Sequence, residues 1–275
     1  MSMIETSVGR IGLTELGSGP ATPILFLHGV GSDKSVWRRQ LEHFGVTRRA
    51  IAIDHPGYGE SEFRPGATRD DFAWAAIAML DALKIEKAHV CGLSLGGVVA
   101  IAMHALAPAR CASLVLADSF AVHPDGRVIY DRAVAASRGM TMRELAEARA
   151  PLLLGAAANE TIGAEVVASM AAIDPAAFRD GAGAVWLADQ RDRVAAIDVP
   201  TLVIVGKEDR ITPPALSRAL SELVGSANRR RPLVKLETIA LAGHLINLEQ
   251  PEVFNRVVER FVGRNEGSGL APLQS

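Results

Sequence analysis

Cysteine is nearly absent from these 275 residues: only Cys91 and Cys111 occur, too few for a disulfide framework. Each falls in or beside an apolar run, so both read as small buried hydrophobes in a reducing compartment. Charge of either sign is not in excess. Against 29 lysines and arginines stand 31 aspartates and glutamates, a net charge of −2, which suits neither nucleic acid nor an anionic membrane surface. No uninterrupted apolar stretch approaches the length of a membrane span. Residues 1–10 lack the apolar run of a signal peptide, so the expected location is cytoplasmic. No Cys, His and Asp cluster has metal-ligand spacing, and no Gly-x-Gly-x-x-Gly opens the first strand-to-helix turn. Neither a metal nor a nucleotide is expected. Internal repeats are lacking as well. What the chain does have is core material, with 49% hydrophobic residues.

Apolar runs and turn residues alternate along the chain. Residues 3–16 alternate weakly and suggest an edge hairpin. Pro23-Ile24-Leu25-Phe26-Leu27 has the continuous apolar character of a strand buried on both faces, and ends in Gly-rich His28-Gly29-Val30-Gly31. A helix follows to Phe44, then a strand at 49–54 and a Pro- and Gly-rich loop, 55–61. A long helix begins near Asp70 or Asp71, with Phe72, Ile77, Leu80 and Leu83 at helical spacing. Further strands fit 89–93, 113–118, 200–206 and 233–237, with helices at 213–223 and 251–262. Strands alternating with helices mean a mainly parallel sheet covered on both faces. That core is expected in two parts, 1–120 and 189–263. Between them, 121–188 carries only Ala-rich helical segments, one opened by a Thr141-x-x-Glu144 capping box. It reads as a helical lid. Residues 264–275 are Gly-rich and polar, as in a loose tail.

The chemistry concentrates at Gly92-Leu93-Ser94-Leu95-Gly96-Gly97, between a strand and a helix. A serine on so sharp a bend needs a strained backbone and neighbours without Cβ, which Gly92 and Gly96 supply. The Leu95 N–H, at the start of the next helix, faces an oxyanion on the attacked carbon. A serine nucleophile needs a base and an orienting acid. His244 follows the last strand in a Gly-bounded loop, on the same sheet edge as Ser94. Asp209, after the penultimate strand, is the preferred acid, with Glu208 and Asp118 as rivals. His28 is read as tying down its own loop, whose Val30 N–H is the second oxyanion donor, and His55 as structural.

These pieces, His28-Gly29-Val30-Gly31, Asp54-x-Pro56-Gly57-x-Gly59-x-Ser61, the Ser94 turn, Gly206-x-x-Asp209 and Gly243-His244, resemble the α/β-hydrolase family over residues 3–262. The resemblance implies a mainly parallel, eight-stranded sheet flanked by helices, a helical lid insertion, and a Ser94-His244-Asp209 triad. Ser94 separates the chain from relatives with an aspartate nucleophile. Within the family, 88–118 and 189–251 are most similar to 3-oxoadipate enol-lactonases. The His-Gly-Val-Gly loop and the insertion depart from those enzymes, and the insertion chooses the substrate. The expected activity is hydrolysis of a small carboxylic ester or lactone through an acyl-enzyme, with no cofactor and no macromolecular partner. A C–C bond hydrolase of a meta-cleavage product, a cofactor-free perhydrolase or haloperoxidase, and a ligand-sensing protein are the alternatives. Gly29, Phe120, Met140, Trp186 and Arg191 are the expected substrate contacts, with Leu187, Arg127, Arg132 and Arg138 as further lid candidates. Asp189 and Arg191 alternatively form an ion pair. Monomer and homodimer stay open.

Overall fold

The computed structural model describes residues 2–267. Seven strands form one sheet: β1 (Ser2–Thr6), β2 (Gly9–Leu27), β3 (Arg48–Ile53), β4 (Ala88–Leu93), β5 (Cys111–Ala117), β6 (Thr201–Gly206) and β7 (Val234–Ile239). The pairs β2–β4, β4–β5, β5–β6 and β6–β7 are parallel, and β1–β2 is an antiparallel hairpin. The count is seven rather than eight because β2 folds back around β3. Leu13 and Leu16 pair with Ile53 and Ala50, whereas Ile24 and Leu27 pair with Ala50 and Ile53. The reversal turns at Gly17, whose φ of +80° disfavours any residue with a Cβ.

Helices fill the connections: α1 (Arg38–Phe44), α2 (Arg69–Ala82), α3 (Leu95–Leu106), α4 (Gly126–Gly139), α5 (Met142–Leu153), α6 (Glu160–Ala171), α7 (Pro175–Trp186), α8 (Arg191–Ala195), α9 (Pro214–Leu223), α10 (Ile246–Glu249) and α11 (Pro251–Gly267). The central strands are apolar on both faces because helices cover both. Val90, Cys91, Leu114 and Val115 are fully buried. Capping chemistry sets several helix starts. Thr68 and Asp71 cap each other's backbone at α2, which starts at Arg69, one or two residues before the expected Asp70 or Asp71. Thr141 and Glu144 form the expected box at α5.

Between β5 and β6 the chain leaves the sheet for α4–α7, returning beside an isolated bridge of Val122 with Asp189. These helices are not a separate body. Met142, Leu145, Met170, Phe178 and Trp186 join the same buried cluster as the sheet. At the other end, α11 continues to Gly267, past residue 264 where composition places the start of a tail. Glu266 explains the extra turn. It binds the Arg48 guanidinium at 2.7 and 3.1 Å, the Thr22 N–H and the His89 ring. The remainder of the expected tail, 268–275, lies outside the described residues. No single helix among the described residues is long and apolar enough to cross a membrane.

Candidate active site

Ser94 stands between β4 and α3 with φ +54° and ψ −113°, a conformation costly for any residue with a Cβ. Its surroundings hold it there. Its N–H donates to Ala117 O (2.8 Å), and its carbonyl accepts from Ser119 Oγ (3.0 Å). A Cβ on Gly92 would collide with Gly96 O, and one on Gly96 with Leu27 O, so both flanking glycines are sterically required. Gly29 lies alongside: a Cβ there would sit 3.5 Å from Ser94 Cβ. No acceptor among the described residues takes the N–H of Leu95 or Val30.

His244 follows β7 in a loop whose shape is set by one side chain. Glu249 accepts from the N–H groups of Gly243, Leu245 and, in the insertion, Gly155. His244 Nδ1 is 2.9 Å from Asp209 Oδ2, and both side chains are buried. Asp209 is saturated with donors: Ile211 N and Thr212 N on Oδ1, Thr212 Oγ1 and His244 on Oδ2. Burial alone would raise its pKa. The His244 charge and these hydrogen bonds outweigh burial and hold the carboxyl at about 2, ionised across the working range. Thr212, which bridges the pair, is absent from the expectations. Its position three residues after an aspartate, as in an Asx turn, is the signal that could have found it.

The rival acids do other things. Glu208 accepts from Ala156 N in the insertion at 2.8 Å. Asp118, at φ +44°, accepts from Gly206 N through Oδ1, while among the described residues no donor reaches its Oδ2, which lies toward Asp209. Burial and the neighbouring Asp209 charge push its pKa well above the usual carboxylate range, so it is a neutral acid behind the pair. One atom each of Asp118, Asp209 and His244 lie within 4.8 Å of one another. To hold a cation there, Asp209 would have to release the four donors it now accepts.

The His28 loop is fixed from behind. His28 Nδ1 donates to Gly29 O, and its Nε2 accepts from His55 N at 3.0 Å. Burial lowers the pKa of both rings, that of His55 well below the usual histidine value, so neither is cationic at neutral pH. Lys34 then ties the loop to the 54–61 turn, bonding Asp54 at 2.6 Å and Glu60 at 2.7 Å.

Ser94 and His244 both line a cavity of about 420 Å³, with Gly29, Val30 and Trp186 as expected. The other expected contacts stand elsewhere. Phe120 is buried behind, its ring stacked on Trp186 at 5.7 Å. Met140, just past α4, is 49% exposed. Arg191 is exposed and forms the ion pair with Asp189 at 2.6 Å. Leu187, Arg127, Arg132 and Arg138 are exposed too. Within the insertion, α5 and α6 reach the cavity through Arg149, Leu153, Val166 and Met170, beside Trp186 at the end of α7.

The family model described as alpha/beta hydrolase fold matches residues 22–251, and the chain belongs to that family. It is 29% identical over 249 residues to 3-oxoadipate enol-lactonase 1 of Acinetobacter baylyi, covering 89% of this chain and 91% of that protein. It is 28% identical to a 2-hydroxymuconate semialdehyde hydrolase of a Pseudomonas species, covering 92% and 91%. The crystal structure of the enol-lactonase from Burkholderia xenovorans superposes with a TM-score of 0.86 at 25% identity, covering 95% of this chain and all of that one.

Proposed function

We propose that this protein is a serine hydrolase of a small carboxylic ester or lactone. The observation that carries this reading is the strained Ser94 in one cavity with a His244 whose Nδ1 is fixed by an ionised Asp209. His244 takes the Ser94 Oγ proton as that oxygen attacks the carbonyl. Asp209 holds the ring tautomer and stabilises the imidazolium that forms. The Leu95 and Val30 amides stabilise the tetrahedral oxyanion, each worth about 3 kcal/mol of barrier. The imidazolium protonates the departing oxygen, leaving Ser94 acylated. His244 then draws a proton from water, whose oxygen attacks the acyl carbon; collapse returns the proton to Ser94 and frees the acid. No step needs a cofactor.

The insertion 121–188 acts as the lid, since α5 and α6 form one wall of the cavity that holds Ser94, and it excludes water from the developing charge. Similarity to the Acinetobacter enzyme supports an enol-lactone as the substrate. Three substrates tested in parallel discriminate: 3-oxoadipate enol-lactone, short p-nitrophenyl esters and a meta-cleavage dienoate. Fast lactone turnover with little on the dienoate is expected. The reverse order would make the protein a C–C bond hydrolase. Ser94→Ala is expected to lose at least about 10³-fold in kcat/KM while staying folded; unchanged turnover would overturn the assignment.

A further inference from the structure

Five charged side chains besides His244 line the cavity: Asp33, Arg38, Arg39, Arg149 and Glu165. Four of them have partners. Arg38 faces Glu165 at 3.6 Å, Arg39 donates to Leu248 O, and Asp33 accepts from Ser35 N and Ser169 Oγ. Arg149 differs. Among the described residues its guanidinium reaches no acceptor and no carboxylate, and its Nε is shielded from solvent with no hydrogen bond. Its one neighbour of note is the face of Phe178, 6.0 Å from Cζ to the ring centroid.

Its place on α5 makes the position unusual. Leu145, Ala146, Ala150 and Leu153 form the buried stripe of that helix, and Arg149 stands within the stripe. A structural arginine there would end on a backbone carbonyl or an acid; this one instead leaves its shielded Nε unpaired, which is costly, and presents its half-buried guanidinium to the cavity. Burial pushes the guanidinium pKa down, and no nearby carboxylate offsets it. Arginine keeps its charge even so.

We infer that Arg149 is the receptor for a carboxylate on the substrate, so the ester or lactone opened at Ser94 is a monoanion. The planar guanidinium matches a carboxylate through two parallel hydrogen bonds. Asp33 and Glu165 on the same walls disfavour a more highly charged group such as a phosphate. The statement about substrate rests on the serine-hydrolase reading above, whereas the anion site itself does not.

The test compares mono-p-nitrophenyl glutarate with p-nitrophenyl hexanoate, a neutral ester of similar size. The wild type is expected to prefer the anion, chiefly through KM. Arg149→Gln should lower the anionic-to-neutral ratio of kcat/KM by about 10- to 100-fold, as for loss of a charge-assisted pair, with Arg149→Lys in between. Glutarate should inhibit hexanoate cleavage competitively in the wild type, and glutaramide should not. An unchanged ratio in a folded Arg149→Gln protein, or equal inhibition by both compounds, overturns the proposal while leaving the hydrolase reading intact. If Arg149→Gln fails to fold, the two inhibitors and Arg149→Lys decide. If the wild type cleaves no ester, calorimetric titration with glutarate decides. Binding to the wild type alone would keep the anion site and sink the hydrolase, and no binding would sink both.

Discussion

Two carboxyls share the space behind His244, and their opposite protonation is set by what each one touches. Asp209 accepts four donors and stays ionised; Asp118 accepts one and stays neutral. Asp209→Asn is therefore expected to cut kcat by about 10³- to 10⁴-fold with little change in fold, because Asn stabilises the wrong imidazole tautomer. Steady-state kinetics with a p-nitrophenyl ester measures it, and a loss under tenfold would remove Asp209 from its role. Asp118 bears on stability instead. Its folded pKa lies above the unfolded value near 3.8, so the native state holds a proton that the unfolded chain releases as pH rises above about 4. Asp118→Asn removes that burden and should raise the melting temperature at pH 7 but not at pH 4. A gain of about 1 kcal/mol would appear as about 2–4 °C at this chain length. The contrast between the two acids was half legible beforehand. The position of each after a parallel strand marks it as a candidate, but nothing in the one-letter code says which would collect the donors. Arg149 was illegible for a related reason: in an Ala-rich helix it is one more charge until packing shows which side of the helix is covered.

Strand ends and helix starts were the readable parts of the fold, because caps, glycines and β-branched runs act locally. Ser94 between Gly92 and Gly96 needs only its neighbours to be recognised. The reversal of β2 was less readable, since pairing with β3 on both sides is a tertiary event, and Gly17 alone does not announce it. The last turns of α11 show the same limit: Glu266 is polar and near the end, yet it closes on Arg48, which is distant in sequence and buried. Its partners hold the Glu266 pKa at about 2 despite partial burial, which would raise it. The resulting stability is in place above pH about 4.5 and fades as pH falls toward 2. Glu266→Gln is expected to cost about 1–3 kcal/mol at pH 7. In urea titrations its difference from the wild type should close in acid. A gap as large at pH 2.5 as at pH 7 would mean that packing, not charge, holds this end of the helix.

Because α4–α7 bury their apolar faces in the same cluster as the sheet, insertion and core should melt together. Calorimetry is expected to give one transition, with the van 't Hoff enthalpy close to the calorimetric one; two resolved peaks would make the insertion a separate cooperative unit. Composition and strand-helix alternation had disclosed the broad plan, including the break after Phe120. They could not disclose which helices approach Ser94, since that depends on how the insertion folds back over the sheet. The place of that break has a consequence for the chain as it is made. The outer edge of β5 is completed only by β6, which begins at Thr201, after the whole insertion has been synthesised. At 5–20 residues per second, a ribosome leaves that apolar edge unpaired for roughly 4–17 s. Over the same interval the nascent chain holds Ser94 but neither Asp209 nor His244, so under the proposed mechanism it cannot turn over substrate until His244 has been added.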